Sequence, residues 1–135
     1  MTLKLDPSEE ERLYHAISSA ASRAAGRKFT RLWVRTEADV GVSSTGLYFQ
    51  ADDGTNYFVT VGLETLDAAM VRLWEALSSA GAPPFSIAVF ELEASGRFRI
   101  EFSYEALGGM VGDWERVQVW ERNRFGPSAE FKYIE

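Results

Sequence analysis

The first apolar pattern in the chain has the period of an α-helix. Asp6, Pro7 and Glu9 form a typical helix start, because aspartate accepts hydrogen bonds from unpaired amides and proline suits the first turn. Gly26 is suited to end the helix in a left-handed conformation. Between them, apolar side chains recur every three or four residues at Leu13, Ile17, Ala20, Ala21 and Ala24. The pattern predicts a first helix that packs through small side chains.

A period of two follows, and it predicts a strand over residues 29–37. Leu32 and Val34 share one face of this strand, whereas Trp33 lies on the other face between two arginines. Residues 38–46 are mostly small and polar, and they predict a flexible connection to the next strand.

Residues 47–51 and 56–61 predict a hairpin around Asp53-Gly54. This dipeptide is suited to a two-residue turn, because both of its residues tolerate left-handed conformations. Such a turn sets Phe49 opposite Phe58 and Tyr48 opposite Val59.

A second helical period follows the hairpin and ends at Gly81, before Pro83-Pro84, which cannot continue a helix. Its apolar stripe consists of Leu66, Met70, Leu73 and Leu77. We therefore expect a second amphipathic helix.

The register of the next hairpin, formed by residues 85–93 and 97–105, follows from the placement of charge. A two-residue turn would put Glu91 and Glu93 on the apolar face of the partner strand. A three-residue turn with Gly96 left-handed avoids this burial. It aligns Ala88, Phe90 and Leu92 with Phe102, Ile100 and Phe98, and it sets Glu91 and Glu93 opposite Arg99 and Arg97. The sequence favours the three-residue turn.

After a glycine-rich connection over residues 105–113, Asp113 and Gly126 are suited to cap a last helix over 114–126. Val117 and Val119 alternate with charged residues, so a strand remains the alternative; residues 127–135 predict a short tail. The chain therefore predicts one α+β domain over residues 1–135, a two-layer sandwich. Its largely antiparallel sheet has the helices on one face, in the order α-β-β-β-α-β-β-α.

Charge and composition narrow the classes of function. The net charge is −6, with 20 acidic against 14 basic side chains, which disfavours nucleic-acid binding and favours a basic protein partner. The chain has no cysteine, and its start shows neither a secretory signal nor a membrane span. We expect a cytoplasmic protein that does not bind membranes.

Candidate catalytic chemistry is sparse. The chain has one histidine, His15, on a polar helix face, so neither a histidine-bearing triad nor a two-histidine metal site is predicted. The carboxylate pairs are explained without catalysis, because Asp52 and Asp53 suit a turn and Glu91 and Glu93 face arginines. We expect a protein without catalytic activity, metal or cofactor.

Two short stretches resemble the YezG-like family of antitoxins and immunity proteins. The first, residues 95–105, is a glycine-opened strand that alternates Phe98, Ile100, Phe102 and Tyr104 with polar residues and ends at Glu105. The second carries Glu115, Arg116, Trp120 and Gly126. The chain departs from the family in its alanine-rich first helix and at residues 121–123.

The resemblance implies an immunity protein that neutralises a cognate secreted nuclease toxin by stoichiometric binding. Joined to the acidic charge and the aromatic Trp33, it implies a partner-binding surface drawn from Trp33, Asp52, Asp53, Glu91, Glu93, Glu101, Glu105 and Glu115. Two alternatives stay open. One is a small-molecule-binding or enzymatic domain with a pocket between sheet and helices near Gly108-Gly109, and the other is a structural subunit of a larger assembly. The sequence leaves the oligomeric state open.

Overall fold

The computed structural model describes residues 5–134 as an α+β domain with a mostly antiparallel sheet. The predicted order of elements is confirmed through the last helix, and a sixth strand follows it. The elements are α1 (Pro7–Ala25), β1 (Arg31–Asp39), β2 (Val42–Gln50), β3 (Asn56–Val59), α2 (Glu64–Ser79), β4 (Ile87–Glu93), β5 (Phe98–Ser103), α3 (Trp114–Phe125) and β6 (Phe131–Ile134).

The strands lie side by side in the order β5-β4-β1-β2-β3-β6, so β1 is central. Helices α1 and α2 cover one face, where the period of two places Leu32, Val34 and Phe90 in the main core. Ile17 of α1 and Met70 of α2 are fully buried against them. The helical and strand periods read from the sequence thus meet in one apolar layer.

Helix α3 lies on the opposite face of the sheet, so the expectation that all helices cover one face is wrong for this helix. The ring of Phe125 packs against Trp33 with centroids 4.9 Å apart, and Trp120 packs against Tyr48 at 5.1 Å. Both partners point away from α1 and α2. The predicted helix in this segment is confirmed over the strand alternative. The Asp113 carboxylate accepts a hydrogen bond from the Glu115 amide at the start of the helix.

Residues 38–46 form a tight hairpin between β1 and β2, where a flexible connection was expected. Asp39 pairs with Val42 across a two-residue turn in which Gly41 has a φ of 76°. The polar side chains of this stretch have partners, because Ser43 and Thr45 donate hydrogen bonds to Asp67 of α2 at 2.8 and 2.7 Å. Their pairing with α2 is a tertiary contact that a polar sequence pattern does not indicate.

The register predicted for β2 and β3 is wrong by one residue. Tyr48 pairs with Phe58 and Phe49 with Tyr57, because the loop holds three residues, 52–54, instead of two. The Gly54 amide donates to the Ala51 carbonyl at 3.0 Å, and the φ of Gly54 is 85°.

The register predicted for β4 and β5 is confirmed. Phe90 pairs with Ile100 and Glu91 with Arg99, and the Gly96 amide donates to the Glu93 carbonyl at 2.9 Å with a φ of 92° at Gly96. Both hairpins therefore use the same loop, a three-residue turn closed by a glycine with positive φ.

The predicted tail contains strand β6, which pairs in parallel with β3. The ring of its Phe131 packs against the rings of Tyr48 and Phe125, with centroids 5.6 and 5.1 Å apart. The strand thus extends the aromatic layer beneath α3.

Candidate interaction surface

Between the sheet and α3 lies a layer that combines aromatic rings with buried charge. Trp33 and Glu91 are only 4% and 8% exposed. Glu91 accepts hydrogen bonds from Trp33 Nε1 at 3.1 Å and from Arg124 of α3 at 2.7 Å, and Arg99 of β5 donates to it at 2.7 Å. Trp33 and Glu91 were predicted to bind a partner at an exposed surface. The prediction is wrong on this point, because α3 covers both side chains.

A second buried carboxylate, Glu37, anchors the loop that precedes α3. Its oxygens lie 2.8 Å from Arg35 Nη1 and 2.7 Å from Arg116 Nη1, and Oε1 accepts from the Gly112 amide at 2.8 Å. Burial raises the pKa of Glu37, but the hydrogen bonds from Gly112, Arg116 and Arg35 outweigh burial and lower the pKa below its usual value. Glu37 therefore stays ionised and ties the loop to β1.

Tyr48 completes this layer. Burial raises the pKa of its hydroxyl, and the neighbouring carboxylate of Glu121 raises the pKa further, so the phenol remains protonated at neutral pH. Burial likewise raises the pKa of Glu121. The arrangement is suited to hold α3 in place, because the two buried carboxylates of the sheet, Glu37 and Glu91, bind Arg116 and Arg124 of this helix.

The other predicted surface residues are divided between the two ends of the sheet. Asp52 and Asp53 lie in the β2–β3 turn at the end where β1 begins, and Glu93 lies at this end as well, within 3.7 Å of Arg31. Glu105 and Glu115 lie at the other end, which is about 20 Å away along β1.

The remaining predicted residue, Glu101, is exposed on β5, and its carboxylate lies 3.8 Å from Arg99. The eight predicted residues consequently do not form one patch.

The end of the sheet at Glu37 gathers exposed apolar and acidic side chains from three segments. We call it the acidic end. It comprises the β1–β2 turn, the residues after β5, and the loop and first turn leading into α3. Its exposed acidic residues are Asp39, Glu105, Asp113 and Glu115, and its exposed large apolar residues are Val40, Val42, Tyr104, Met110 and Trp114.

Contacts to Glu37 and to the neighbouring strand bring these segments together. Glu37 pairs with Ile87, which pairs with Ser103 just before Tyr104, so the residues after β5 begin at the same end of the sheet, two strands from Glu37. Arg116, which is bound to Glu37, also donates to the Met110 carbonyl at 3.3 Å. Met110 and Val40 are 83% and 82% exposed, although both are apolar.

The opposite end carries both basic and acidic side chains. Arg27 and Lys28 lie between α1 and β1, and Arg31 and Arg97 lie beside the β4–β5 turn. At the acidic end, Arg116 is neutralised by Glu37. The acidic end therefore presents four exposed carboxylates and a single basic side chain that is already paired, which gives it a locally negative surface.

Sequence reasoning found Glu105 and Glu115 of the acidic end and missed its other members. One signal was present. Val40, Val42 and Met110 are apolar residues inside polar or glycine-rich stretches, where no helix or strand period buries them. Their convergence depends on the path of residues 104–115 over the sheet, which no local pattern specifies.

An open groove of about 990 Å³ lies between α1 and the β4–β5 hairpin. His15 and Ser18 line its helical wall, and Leu92 and Phe98 line the strand side. The groove lies away from Gly108-Gly109, where the small-molecule alternative placed its pocket.

Comparison with family models and with curated proteins finds no match for this chain. Among residues 5–134, no helix has the length and apolar character needed to cross a membrane. No group of three histidine or carboxylate side chains in the same range is arranged to hold a metal ion.

Proposed function

We propose that the protein is an immunity protein that neutralises a basic toxin, a nuclease domain, by stoichiometric binding without turnover. The observation that carries the proposal is the acidic end, where apolar side chains stand exposed among carboxylates. Large exposed apolar groups within a charged rim are typical of protein interfaces. The proposed site keeps Glu105 and Glu115 and replaces Trp33 and Glu91 by exposed residues.

The chemistry of the surface supports a basic partner. A nuclease that holds phosphates presents a positive surface, and complementary charge speeds encounter and selects the partner. Met110, Trp114 and Val40 supply the apolar contacts that such an interface needs for slow dissociation. Glu37 supports them from below, because it holds Gly112 and Arg116 and hence the loop that carries Met110.

The resemblance to YezG-like antitoxins at residues 95–105 and 115–126 supports the same function. In this proposal the protein acts in the cytoplasm, where a toxin nuclease meets its nucleic-acid substrate. The partner is a protein, and neither a cofactor nor a metal takes part.

Co-expression tests the proposal. The toxin to test is any nuclease domain encoded by a neighbouring gene, expressed alone and together with the protein. We expect the cognate toxin to be lethal alone, harmless with the protein, and recovered as a one-to-one complex. A toxin that remains lethal with no complex formed would refute the proposal, and the groove along α1 would then be the next candidate site.

Matched variants test the surface itself. In Glu105→Lys/Glu115→Lys two charges are reversed at the acidic end, and in Asp52→Lys/Glu130→Lys the same number is reversed at exposed positions elsewhere. We expect the first variant to slow association at least tenfold and to flatten its salt dependence, and the second to have little effect. Met110→Ala should mainly speed dissociation. Equal effects of the two charge variants would show that the acidic end is not the site.

A further inference from the structure

The outer strand β5 leaves one edge of the sheet unpaired in the part of the chain that the structure describes. Natural proteins usually protect such edges with proline, a bulge or an inward-pointing charge, because free backbone groups recruit another strand. Residues 98–103 carry none of these features on their apolar face. Phe98 is 43% exposed on this face, and Ile100 and Phe102 are only half-buried.

The backbone of β5 determines which residues face the open edge. The Glu93 amide donates to the Arg97 carbonyl at 2.9 Å, so Arg97 directs its backbone groups toward β4. In an antiparallel ladder this alternates along the strand. Phe98, Ile100 and Phe102 therefore direct their amides and carbonyls to the open edge, where a second antiparallel strand would bind them.

The sequence of this edge is complementary to itself. Residues 98–102 read Phe-Arg-Ile-Glu-Phe, which is symmetric about Ile100 in its apolar positions and opposite in charge at the two positions between them. Pairing with an antiparallel copy centred on Ile100 sets Phe98 against Phe102 and Arg99 against Glu101, each twice. These positions also agree with the backbone pattern, because Ile100 directs its hydrogen-bonding groups to the edge.

We infer that two copies of this protein associate through β5, antiparallel and centred on Ile100, to form one continuous sheet. Neighbouring registers are worse. A centre at Arg99 or at Glu101 sets like charges directly opposite each other, and a centre at Phe98 sets Arg97 against Arg99, which destabilises strand pairs. A centre at Phe102 sets Glu101 against Ser103 and so loses both Arg99–Glu101 contacts. The charge pattern therefore favours the register centred on Ile100.

The other outer strand lacks this property. β6 has four residues with Lys132 as its only charged side chain, so no antiparallel register of β6 with itself pairs opposite charges. The inference about β5 is independent of the proposed immunity function. The symmetry would place the acidic ends of the two copies at opposite ends of the joined sheet, so both stay free for a partner.

A cysteine at the symmetry centre tests the contact directly, because the chain contains no other cysteine. In Ile100→Cys the two thiols would lie opposite each other, within the Cα separation that a disulfide spans. We expect a disulfide-linked dimer under mild oxidation. The control Arg97→Cys places the thiols about 20 Å apart, six residues out of register, and should stay monomeric. Equal crosslinking of both variants would overturn the inference.

The unmodified protein and a charge variant complete the test. Light scattering over a concentration series should show a monomer–dimer equilibrium of the unmodified protein. Glu101→Arg should weaken the dimer by roughly ten- to thirtyfold, because it replaces two attractive contacts by two repulsive ones. Glu130→Arg, the same change at an exposed position next to β6 on the other edge of the sheet, should leave the dimer intact, and circular dichroism of both variants should report an intact fold.

Two further results would contradict the dimer. A protein that is monomeric at every concentration would overturn it. So would a monomer whose complex with a toxin is lost in Glu101→Arg but retained in Glu130→Arg, since the edge would then bind a strand of that partner.

Discussion

The two faces of the sheet are built from the same strands and are held by different physics. On the face under α1 and α2, the core is formed by aliphatic and phenylalanine side chains such as Leu32, Val34 and Phe90, with one hydrogen-bonded cluster at its margin around Asp67. On the face under α3, Glu37 and Glu91 are buried among aromatic rings and arginines. Because successive side chains along a strand point to opposite faces, only the backbone of the sheet separates the apolar face from the charged face.

The contrast shows what each kind of contact specifies. Apolar burial is favourable in many orientations, so the first face is tolerant of how its helices lie. Buried carboxylates need donors at fixed positions, and their desolvation must be offset by those donors. Glu37 and Glu91 therefore determine where Arg116 and Arg124 lie, and with them the position of α3.

The largest expected effect is on the apolar face. Phe90 is fully buried and stacks on Phe98 with ring centroids 5.2 Å apart. Phe90→Ala should lower the free energy of unfolding by about 3–5 kcal/mol, because it leaves a cavity in a closely packed core. Urea denaturation measures this loss. A loss below about 1 kcal/mol would show that the apolar face does not dominate stability.

A comparable loss is expected on the charged face when one partner is removed. Glu37→Leu leaves Arg35 buried without its carboxylate and should cost about 3 kcal/mol in urea denaturation. The double variant Arg35→Met/Glu37→Leu should cost less than the single variant, since the more deeply buried arginine, Arg35, is no longer left without a carboxylate. Arg116, which is more exposed, loses its contact with Glu37 in both variants. A double variant that is less stable than the single variant would show that an apolar pair cannot replace the buried ion pair of Arg35 and Glu37.

The smallest expected effect is a difference in pH dependence. Burial raises the pKa values of Glu37 and Glu91, but their arginine partners, joined at Glu37 by the Gly112 amide, outweigh it and lower both below the ordinary value of 4.5. A carboxylate with a lowered pKa stabilises the fold above 4.5, and this contribution is lost as the pH falls through its folded-state pKa. Glu121, whose pKa burial raises, has the opposite sign.

The free energy of unfolding, measured as a function of pH below neutrality, therefore distinguishes the contributions of the two faces. We expect the unmodified protein to lose stability steadily below pH 4.5, and Glu37→Gln to be less stable at neutral pH but to lose less on acidification. Phe90→Ala should give a curve that is lower and parallel to that of the unmodified protein. Parallel curves for all three proteins would show that the buried carboxylates contribute no pH dependence.

The two hairpins with three-residue loops show when a strand register can be predicted from the sequence and when it cannot. At residues 94–96 the acidic and apolar positions of both strands had to be reconciled, and this excluded the two-residue turn. At residues 52–54 the prediction relied on Asp53-Gly54 alone, which fits a two-residue or a three-residue loop equally well. A register is predictable when charge makes the wrong pairing costly.

The residues predicted for the candidate surface also fall into a correct and an incorrect group. Glu105 and Glu115 could be chosen from their charge and position in the chain, whereas Trp33 and Glu91 were assigned to an exposed face that α3 covers. Their alternation along the strand was read correctly. Their burial depended on a helix more than twenty residues away in sequence from Glu91, and alternation does not indicate which face a distant helix covers.

The predicted capping bond of the Asp6 side chain to α1 is not formed. By itself the sequence determined the periods and one register: three helices, the alternation of the five predicted strands and the pairing of β4 with β5. These features are local, because they depend on residues within one turn or one hairpin. The tertiary structure alone decided the face on which α3 lies, the parallel addition of β6 and the convergence of three segments at the acidic end. Those features require groups far apart in the chain, above all Glu37 with Gly112 and Arg116, to satisfy one another's charge and hydrogen bonds after burial.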